Sequence, residues 1–291
     1  MTHRSVESLV PGSATQDGNR VPLTRLIPGT GQRGMDAFRA MDPFLLMDHF
    51  GPLHLPPGTD AGFPPHPHRG FQTLTYLLQG AFRHRDSTGG AGLLRPGGAQ
   101  LMNAGAGLVH EEMPVPEQLE AGGPIEGVQL WINLPRAHKR SRPGFTDLQP
   151  ESMPWQAVPG GRLRALAGAW LGSEGPARTP ARIAYAHLEL EPGAEFRHPL
   201  PQGWTAALVP LHGSVRVDAV HVPSDHLARL ARDGTHLALA TDGGASVMLL
   251  AGEPLGEPIA HYGPFVMNTR EEIDEALLDY ANGRLGRLAE R

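Results

Sequence analysis

The sequence predicts an all-β protein built from two related β-domains and a C-terminal helix. Three observations support this fold class: short apolar runs that alternate with polar residues, frequent glycine and proline between those runs, and an internal repeat. The chain has 291 residues, including 37 glycines and 29 prolines. This length exceeds that of a typical single hydrophobic core, so two domains are expected.

Strand candidates recur through both halves of the chain. They either alternate apolar with polar residues or are rich in aromatic and β-branched residues, as strands with one buried face are. Turn signals such as Gly89-Gly90 and Pro192-Gly193 separate them. The candidates are Phe71–Leu78, Val128–Leu134, Arg182–Leu190, Ala206–Leu211, Val215–Val222, His236–Ala240 and Ser246–Ala251.

Helix signals are few, and the clearest lies near the C-terminus. In Thr269–Leu285, Thr269 can act as the N-cap and Glu272 as its capping-box partner. Apolar residues follow at helical spacing, and Gly283 is a suitable stop. The sequence therefore predicts one C-terminal helix.

An internal repeat indicates that the two domains are related. His66–Gly80 aligns without gaps with Pro199–Gly213. A chance similarity between two amphipathic strands is the alternative, but the shared order of turn and strand patterns favours duplication. Arg142–Gly161, rich in proline and glycine, is the expected linker, which gives domains at 1–149 and 150–291, with the helix in the second. The matched pairs are Gly70 with Gly203, Phe71 with Trp204, Leu78 with Leu211 and Gly80 with Gly213.

Composition narrows the function classes. The formal net charge is -5 with both signs interspersed, so no basic surface for direct nucleic-acid binding is indicated. The absence of cysteine removes disulfides, thiolate zinc sites and cysteine nucleophiles. The first 20 residues are polar, and no apolar stretch is long enough for a membrane helix. We expect a soluble, cytoplasmic, monomeric protein without a membrane partner.

Two pairs of polar residues have the spacing of ligands on one face of a strand. His66 and His68 stand at i and i+2 and therefore project to the same side of an extended segment. Pro65 and Pro67 favour that extended conformation. A lone His-x-His pair is more often a pair of surface histidines than a metal site.

The second pair, His110 and Glu112, has the same spacing. A lone His-Glu-Glu run would more often be a solvated loop. If both pairs face the inside of one barrel, they offer three nitrogens and one carboxylate oxygen. This set suits Fe(II), Mn, Co, Ni, Cu or Zn better than Ca or Mg, which prefer oxygen ligands. The sequence therefore predicts one divalent transition metal.

Six segments of the chain resemble those of a known family, the pirins, which are bicupins. The segments occur in the same order as in the family, and the resemblance extends over nearly the whole chain. The segments are DPFLLMDHFGP (Asp42–Pro52), PHPHRGFQTLTYLLQG (Pro65–Gly80), RHRDSTGG (Arg83–Gly90), RPGGAQLMNAGAGLVHEEMP (Arg95–Pro114), GVQLWINLP (Gly127–Pro135) and YGPFVMNTREEIDEAL (Tyr262–Leu277).

The resemblance implies two cupin-type antiparallel β-barrels with iron, most plausibly Fe(II), in the N-terminal barrel only. Two ordinary cupin ligand positions hold Gln72 and Leu101 instead. Pro199 and Pro201 align with the first two histidines, so the second barrel is expected to carry no metal. The implied ligands are His66, His68, His110 and Glu112.

The resemblance also implies two classes of function. The first is a quercetin 2,3-dioxygenase-like enzyme that opens a flavonol with O2, in which Glu112 is both ligand and base. The second is a non-enzymatic, metal- or redox-responsive regulator that binds a transcription factor or a metabolic enzyme. A purely structural bicupin is disfavoured because only one barrel keeps its ligands. Asp48, Gln72, Gln129 and Trp131 are candidate residues of the substrate pocket, although a tryptophan such as Trp131 is more often core packing and an aspartate such as Asp48 is more often a turn or cap residue.

Overall fold

The computed structural model describes residues 2–32 and 35–288, and these form mostly β-strands, as predicted. No helix within those residues has the length and apolar character needed to cross a membrane. The strands, in chain order, are β1 (Val6–Pro11), β2 (Ser13–Asp17), β3 (Val21–Ile27), β4 (Phe44–Leu55), β5 (Phe63–His68), β6 (Phe71–Gln79), β7 (Phe82–Asp86), β8 (Ala91–Leu94), β9 (Ala99–Asn103), β10 (Leu108–Pro114), β11 (Gly123–Asn133), β12 (Gly144–Leu148), β13 (Gln156–Val158), β14 (Gly161–Trp170), β15 (Ser173–Pro176), β16 (Ile183–Leu190), β17 (Glu195–Pro199), β18 (Thr205–Val217), β19 (Val220–Pro223), β20 (His226–Leu230), β21 (His236–Ala240), β22 (Ala245–Gly252), β23 (Ala260–Tyr262) and β24 (Phe265–Met267). The helices are α1 (Met35–Met41), α2 (Pro116–Ala121) and α3 (Arg270–Ala281), with short 3₁₀ turns at Arg136–His138 and Pro150–Ser152.

The contacts divide the chain into two compact units. The first unit contains Ala14–Leu23, Leu45–Pro150 and the described residues from Gly256 onward. It has a seven-stranded sheet in the order β12-β9-β6-β11-β4-β3-β2, a four-stranded sheet in the order β5-β10-β7-β8, and the hairpin β23-β24. Aromatic and aliphatic residues such as Phe50, Phe82 and Leu77 form a buried core within this unit.

The second unit contains the described residues up to Ser13 together with Thr24–Phe44 and Glu151–Leu255. The main path of its sheet has the order β1-β20-β18-β22-β16-β14-β13. Off this path, β15 pairs with β14, β19 and β21 pair with β18, and β17 pairs with β21. Its core is apolar and mostly aliphatic, with Leu188, Leu208 and Leu249 each fully buried. The sequence predicted separate strands at Ala206–Leu211 and Val215–Val222. The structure instead joins Ala206–Leu211 and Val215–Val217 in one long strand, β18, which a bulge between Pro210 and His212 bends without ending it. Val220–Val222 belong to the next strand, β19.

The repeated segments occupy equivalent places in the two units. β6 lies between β9 and β11, and β18 lies between β20 and β22, each within an antiparallel sheet. Two segments that match in sequence and in sheet position support the duplication inferred from the repeat.

The C-terminal helix forms as predicted. Thr269 caps α3 through a hydrogen bond from the backbone N–H of Glu272, and the Glu272 side chain accepts from the Thr269 N–H. The units differ from the predicted division into 1–149 and 150–291 at both ends of the chain. β1 pairs with β20 of the second unit, whereas Ile273 and Ala276 of α3 join a buried cluster with Val109 of the first unit.

One buried histidine belongs to the second unit and lies outside any predicted site. His198 packs against Trp170, with ring centroids 4.5 Å apart, and the side chain is 8% exposed. Burial, together with the nearby His236, lowers the pKa of His198 to about 4. An unfolded chain binds a proton at this residue near the ordinary histidine pKa of about 6.5.

This difference predicts a pH-dependent stability. Because the unfolded state takes up the proton first, the free energy of unfolding should fall as the pH is lowered from about 6.5 toward about 4. His198→Phe should reduce that slope, and His221→Gln, which replaces an exposed histidine of the same unit, should leave it unchanged. Denaturant unfolding at a series of pH values measures the slope. Equal slopes in wild type and His198→Phe would contradict the assignment.

Candidate metal centre

Two neighbouring strands of the first unit carry the predicted ligands. β5 and β10 are antiparallel, and His110 pairs in register with His66. A bulge follows between His110 and Glu112. His68 and His110 are buried, with 3% and 1% of their surface exposed, while His66 is partly exposed. The i, i+2 spacing therefore brings the histidines of both pairs to the same side of the four-stranded sheet.

The three imidazole rings converge on one point. One nitrogen from each of His66, His68 and His110 lies within 4.8 Å of the others. The Nδ1 atoms of His66 and His68 lie 2.7 Å and 3.4 Å from the carbonyl oxygens of Pro64 and Pro264. A carbonyl oxygen only accepts, so both Nδ1 atoms carry the proton.

The remaining nitrogens of this pair face each other without a donor between them. The Nε2 atoms of His66 and His68 are 3.0 Å apart. With both protons on Nδ1, each Nε2 presents a lone pair to the other. Such an arrangement is stabilised by a cation that both lone pairs can bind.

His110 completes the set of nitrogen ligands. Neither of its ring nitrogens has a hydrogen-bond partner among the residues that the structure describes. Burial lowers the pKa of His110 well below its usual value, and His66, His68 and His84 lower it further. Burial, followed by His66, also lowers the pKa of His68. Neutral imidazole is the form that ligates metals, so His66, His68 and His110 could hold a metal ion.

Glu112 lies beside this cluster but is not one of its three members. Its Oε1 accepts a hydrogen bond from Thr75 Oγ1 at 3.1 Å, and its Oε2 accepts one from Gln129 Nε2 at 2.9 Å. An ionised carboxylate has about four acceptor positions, so both oxygens can bind further partners. The role of Glu112 as fourth ligand stays a prediction.

Comparison with known proteins identifies the family. Residues 25–132 match the family model described as Pirin, and residues 185–286 match the model described as Pirin C-terminal cupin domain. The chain belongs to the pirin family. Two cupin domains are thereby shown, as the resemblance implied.

The most similar relatives of this pirin extend over nearly the same length. A Pseudomonas aeruginosa protein provisionally named quercetin 2,3-dioxygenase is 42% identical over 97% of this chain and 98% of its own. Human pirin is 37% identical over 87% of this chain and 86% of its own. The crystal structure of quercetin 2,3-dioxygenase from Acinetobacter baumannii, 34% identical, superposes with a TM-score of 0.91 over 98% of this chain and 99% of the other.

Two of the predicted pocket residues lie beside the histidines in this pirin. Trp131 stacks on Phe71, with ring centroids 4.2 Å apart, and its ring lies 5.1 Å from that of His68. Trp131 Nε1 donates to Gln129 Oε1 at 3.1 Å, which fixes the orientation of the amide that reaches Glu112. Trp131 remains partly exposed, so it contacts the site and does not belong to the closed core.

Gln72 lies on the other face of the sheet from the site. On β6 and β11, Thr75 pairs with Gln129, and both contact Glu112, whereas Gln72 pairs with Ile132. Gln72 was expected to point inward because it stands an even number of residues after His68, but β5 ends at His68. Gly70, at φ +88°, lies just before β6, which belongs to a different sheet, and so resets the alternation of side chains. Thr73, one residue further on, occupies the inward position.

The strands also place Leu101, the other departure from the cupin pattern, and the candidate pocket residue Asp48. Leu101 pairs with Leu74, so it too lies on the face opposite Thr75. Asp48 is buried on β4, which is separated from β6 by β11 in the sheet. The adjacent His49 contacts Glu126, with His49 Nε2 3.3 Å from Glu126 Oε1. A role for Asp48 in the pocket stays a prediction.

A histidine and an aspartate that the sequence reading missed lie next to the ligands. His84 pairs in register with Glu112, and Asp86 with His110. His84 Nε2 is 3.2 Å from Asp86 Oδ2, and its ring stacks on Phe145 with centroids 4.1 Å apart. Hydrogen bonds from His84, Thr88 and Gly90 outweigh burial and lower the pKa of Asp86 to about 2. The same i, i+2 spacing that marks the ligands could have marked this pair.

The cluster predicts which histidine is needed for metal binding. Purified wild-type protein loaded with a divalent transition metal should retain about one ion per chain. His110→Ala removes a ligand and should lose most of it. His49→Gln, which changes another buried histidine of the same unit, should keep it. Elemental analysis after gel filtration measures the content, and a His110→Ala protein with undiminished metal would contradict the site.

Proposed function

We propose that this protein is an iron-dependent dioxygenase that opens a flavonol such as quercetin with O2. The observation that carries the proposal is the convergence of three histidines, His66, His68 and His110, beside an oriented carboxylate, Glu112. The similarity to the quercetin 2,3-dioxygenase of A. baumannii over nearly the whole chain supports it.

His66, His68, His110 and Glu112 would hold the ion, and the donor set of three nitrogens and one oxygen fits Fe(II). When bound, the ion would supply Lewis acidity and redox chemistry with O2. No cysteine competes for it anywhere in the chain.

Glu112 is placed to take the proton of a substrate hydroxyl. Its two oxygens are oriented by Thr75 and Gln129, and Gln129 is itself held by Trp131. The Thr75 hydroxyl also accepts a hydrogen bond from Gln129 at 3.2 Å. If Oε1 becomes protonated, the Thr75 hydroxyl can rotate and accept from it, so the proton has an acceptor next to it.

Trp131, backed by the fully buried Phe71, would offer an aromatic face to a planar substrate. Phe71 and Trp131 stack within 4.2 Å of each other, next to His68. A flavonol is planar and aromatic, and offset or edge contacts with such rings are favourable. The partly exposed Trp131 would therefore contact the substrate and also hold the amide that orients Glu112.

The proposal predicts oxygen consumption that depends on Glu112. Iron-loaded wild type should consume O2 when quercetin is added. Glu112→Gln retains the shape of the side chain and can keep the hydrogen bond from Thr75, but it cannot accept the proton, so turnover should fall by about 100-fold or more. Glu111→Gln is the matched control, since Glu111 pairs with Arg85 away from the site. An oxygen electrode measures the rates.

Each outcome of this experiment discriminates between functions. Unchanged turnover in Glu112→Gln would rule out its role as the base. Metal binding without oxygen uptake would favour the alternative, a metal-responsive protein that binds a regulatory or metabolic partner. Location in the cytoplasm and a monomeric state stay predictions.

A further inference from the structure

The C-terminal residues of the chain pack on the strands that carry the histidines. We define the C-terminal strap as Ala260–Leu285, which comprises β23, β24 and α3. Its residues share a buried apolar cluster with Val109, the neighbour of His110. The strap members of that cluster are Phe265, Met267, Ile273, Ala276 and Leu285.

The first link from the strap reaches His68. The carbonyl oxygen of Pro264 lies 3.4 Å from His68 Nδ1 and also accepts the Arg69 backbone N–H at 3.3 Å. The Val266 N–H donates to the Arg69 carbonyl at 3.0 Å, which forms an isolated bridge between β24 and the end of β5. The strap therefore sets which nitrogen of His68 keeps its lone pair.

A buried lysine joins the strap to the backbone that follows His68. Lys139 is 2% exposed, and its Nζ donates to the carbonyl oxygens of Gly70 at 2.7 Å and Val266 at 2.9 Å. A Cβ at Gly70 would lie 1.9 Å from the Val266 oxygen, so only glycine permits this approach. The backbone that follows His68 is thus held against the strap from two directions.

Arg69 joins the strap to the segment before His110. Its NH2 atom donates to Asp279 on α3 at 2.8 Å, and its Nε donates to the Ala106 carbonyl at 2.6 Å. The side chains of Arg69 and Asp279 are 8% and 12% exposed. Hydrogen bonds from Arg69, and then from Arg284, lower the pKa of Asp279, so the pair is ionised. Through Arg69, α3 is therefore connected to the turn that follows β5 and to the loop that precedes β10.

A second link reaches His110 independently of Arg69. Ser87 Oγ donates to the Leu285 carbonyl at 2.7 Å and accepts the Val109 N–H at 3.0 Å. The backbone next to His110 is therefore tied through one hydroxyl to the end of the strap.

We propose that the strap is a positioning element of the metal centre. Asp279 acts on the ligands through Arg69, and the Pro264 carbonyl acts directly on His68. Groups that orient ligating histidines typically change metal affinity by about 10- to 100-fold when they are removed. Coupling is reciprocal, so metal binding should also stabilise the docked strap. This inference rests on the proposed metal site and is independent of the proposed oxidation of flavonols.

The first test measures metal affinity with cobalt(II) as the probe. Asp279→Asn keeps the size of the side chain but removes the charge that holds Arg69, so cobalt(II) affinity should fall by about 10-fold or more in a chelator competition. Glu275→Gln is the matched control, because Glu275 lies on the same helix and pairs with exposed Arg140. It should bind as wild type does. Thermal unfolding shows whether each variant is folded.

The second test measures hydrogen exchange in the strap itself. Hydrogen exchange of Pro264–Leu285 should slow when cobalt(II) is added to wild type, and it should slow less in Asp279→Asn. Ser87→Ala tests the second link should Asp279→Asn fail to fold, and the same loss of affinity is expected.

The outcomes separate this inference from the proposed function. Wild-type affinity in both folded variants, or strap exchange that cobalt(II) does not change, would overturn the positioning role. Absence of cobalt(II) binding by wild type would overturn it together with the metal site. Weakened cobalt(II) binding in Asp279→Asn alongside no oxygen uptake with quercetin would support the strap and refute only the oxidation.

Discussion

Two imidazole nitrogens that face each other at 3.0 Å are the constraint around which the first unit is arranged. The carbonyl oxygens of Pro64 and Pro264 take the other nitrogen of each ring, so neither His66 nor His68 can relieve the contact by changing its tautomer. A cation bound by both lone pairs would resolve the repulsion. Burial keeps His68 and His110 neutral and therefore available as ligands.

The duplicated strands show how one architecture supports two different interiors. In the first unit, the segment before the repeated strand carries His66 and His68, and the polar groups of Thr75 and Gln129 bind Glu112 beside them. In the second unit the aligned positions are Pro199 and Pro201, and the core is apolar. The capacity to hold a metal therefore depends on a few inward positions and not on the fold itself.

Local patterns in the sequence were enough to predict several of the strands, the capping box of α3 and the histidine cluster, because each depends on neighbours within a few residues. The direction of Gln72 could not be derived, since the left-handed conformation of Gly70 interrupts the alternation between two sheets. The contact of Asp279 with Arg69 could not be derived either, because it joins residues far apart in the chain. His84 and Asp86 had a usable signal, the same spacing as the ligands, which became meaningful only when β7 was found beside β10.

The central claim is that the three histidines and Glu112 share one ion. Anomalous diffraction from crystals of iron-loaded protein, recorded on both sides of the iron absorption edge, tests it most directly. The account predicts one peak at about 2.0–2.2 Å from a nitrogen of each of His66, His68 and His110 and from an oxygen of Glu112, distances typical of such ligands. A peak elsewhere, or none in protein that contains stoichiometric iron, would contradict the account.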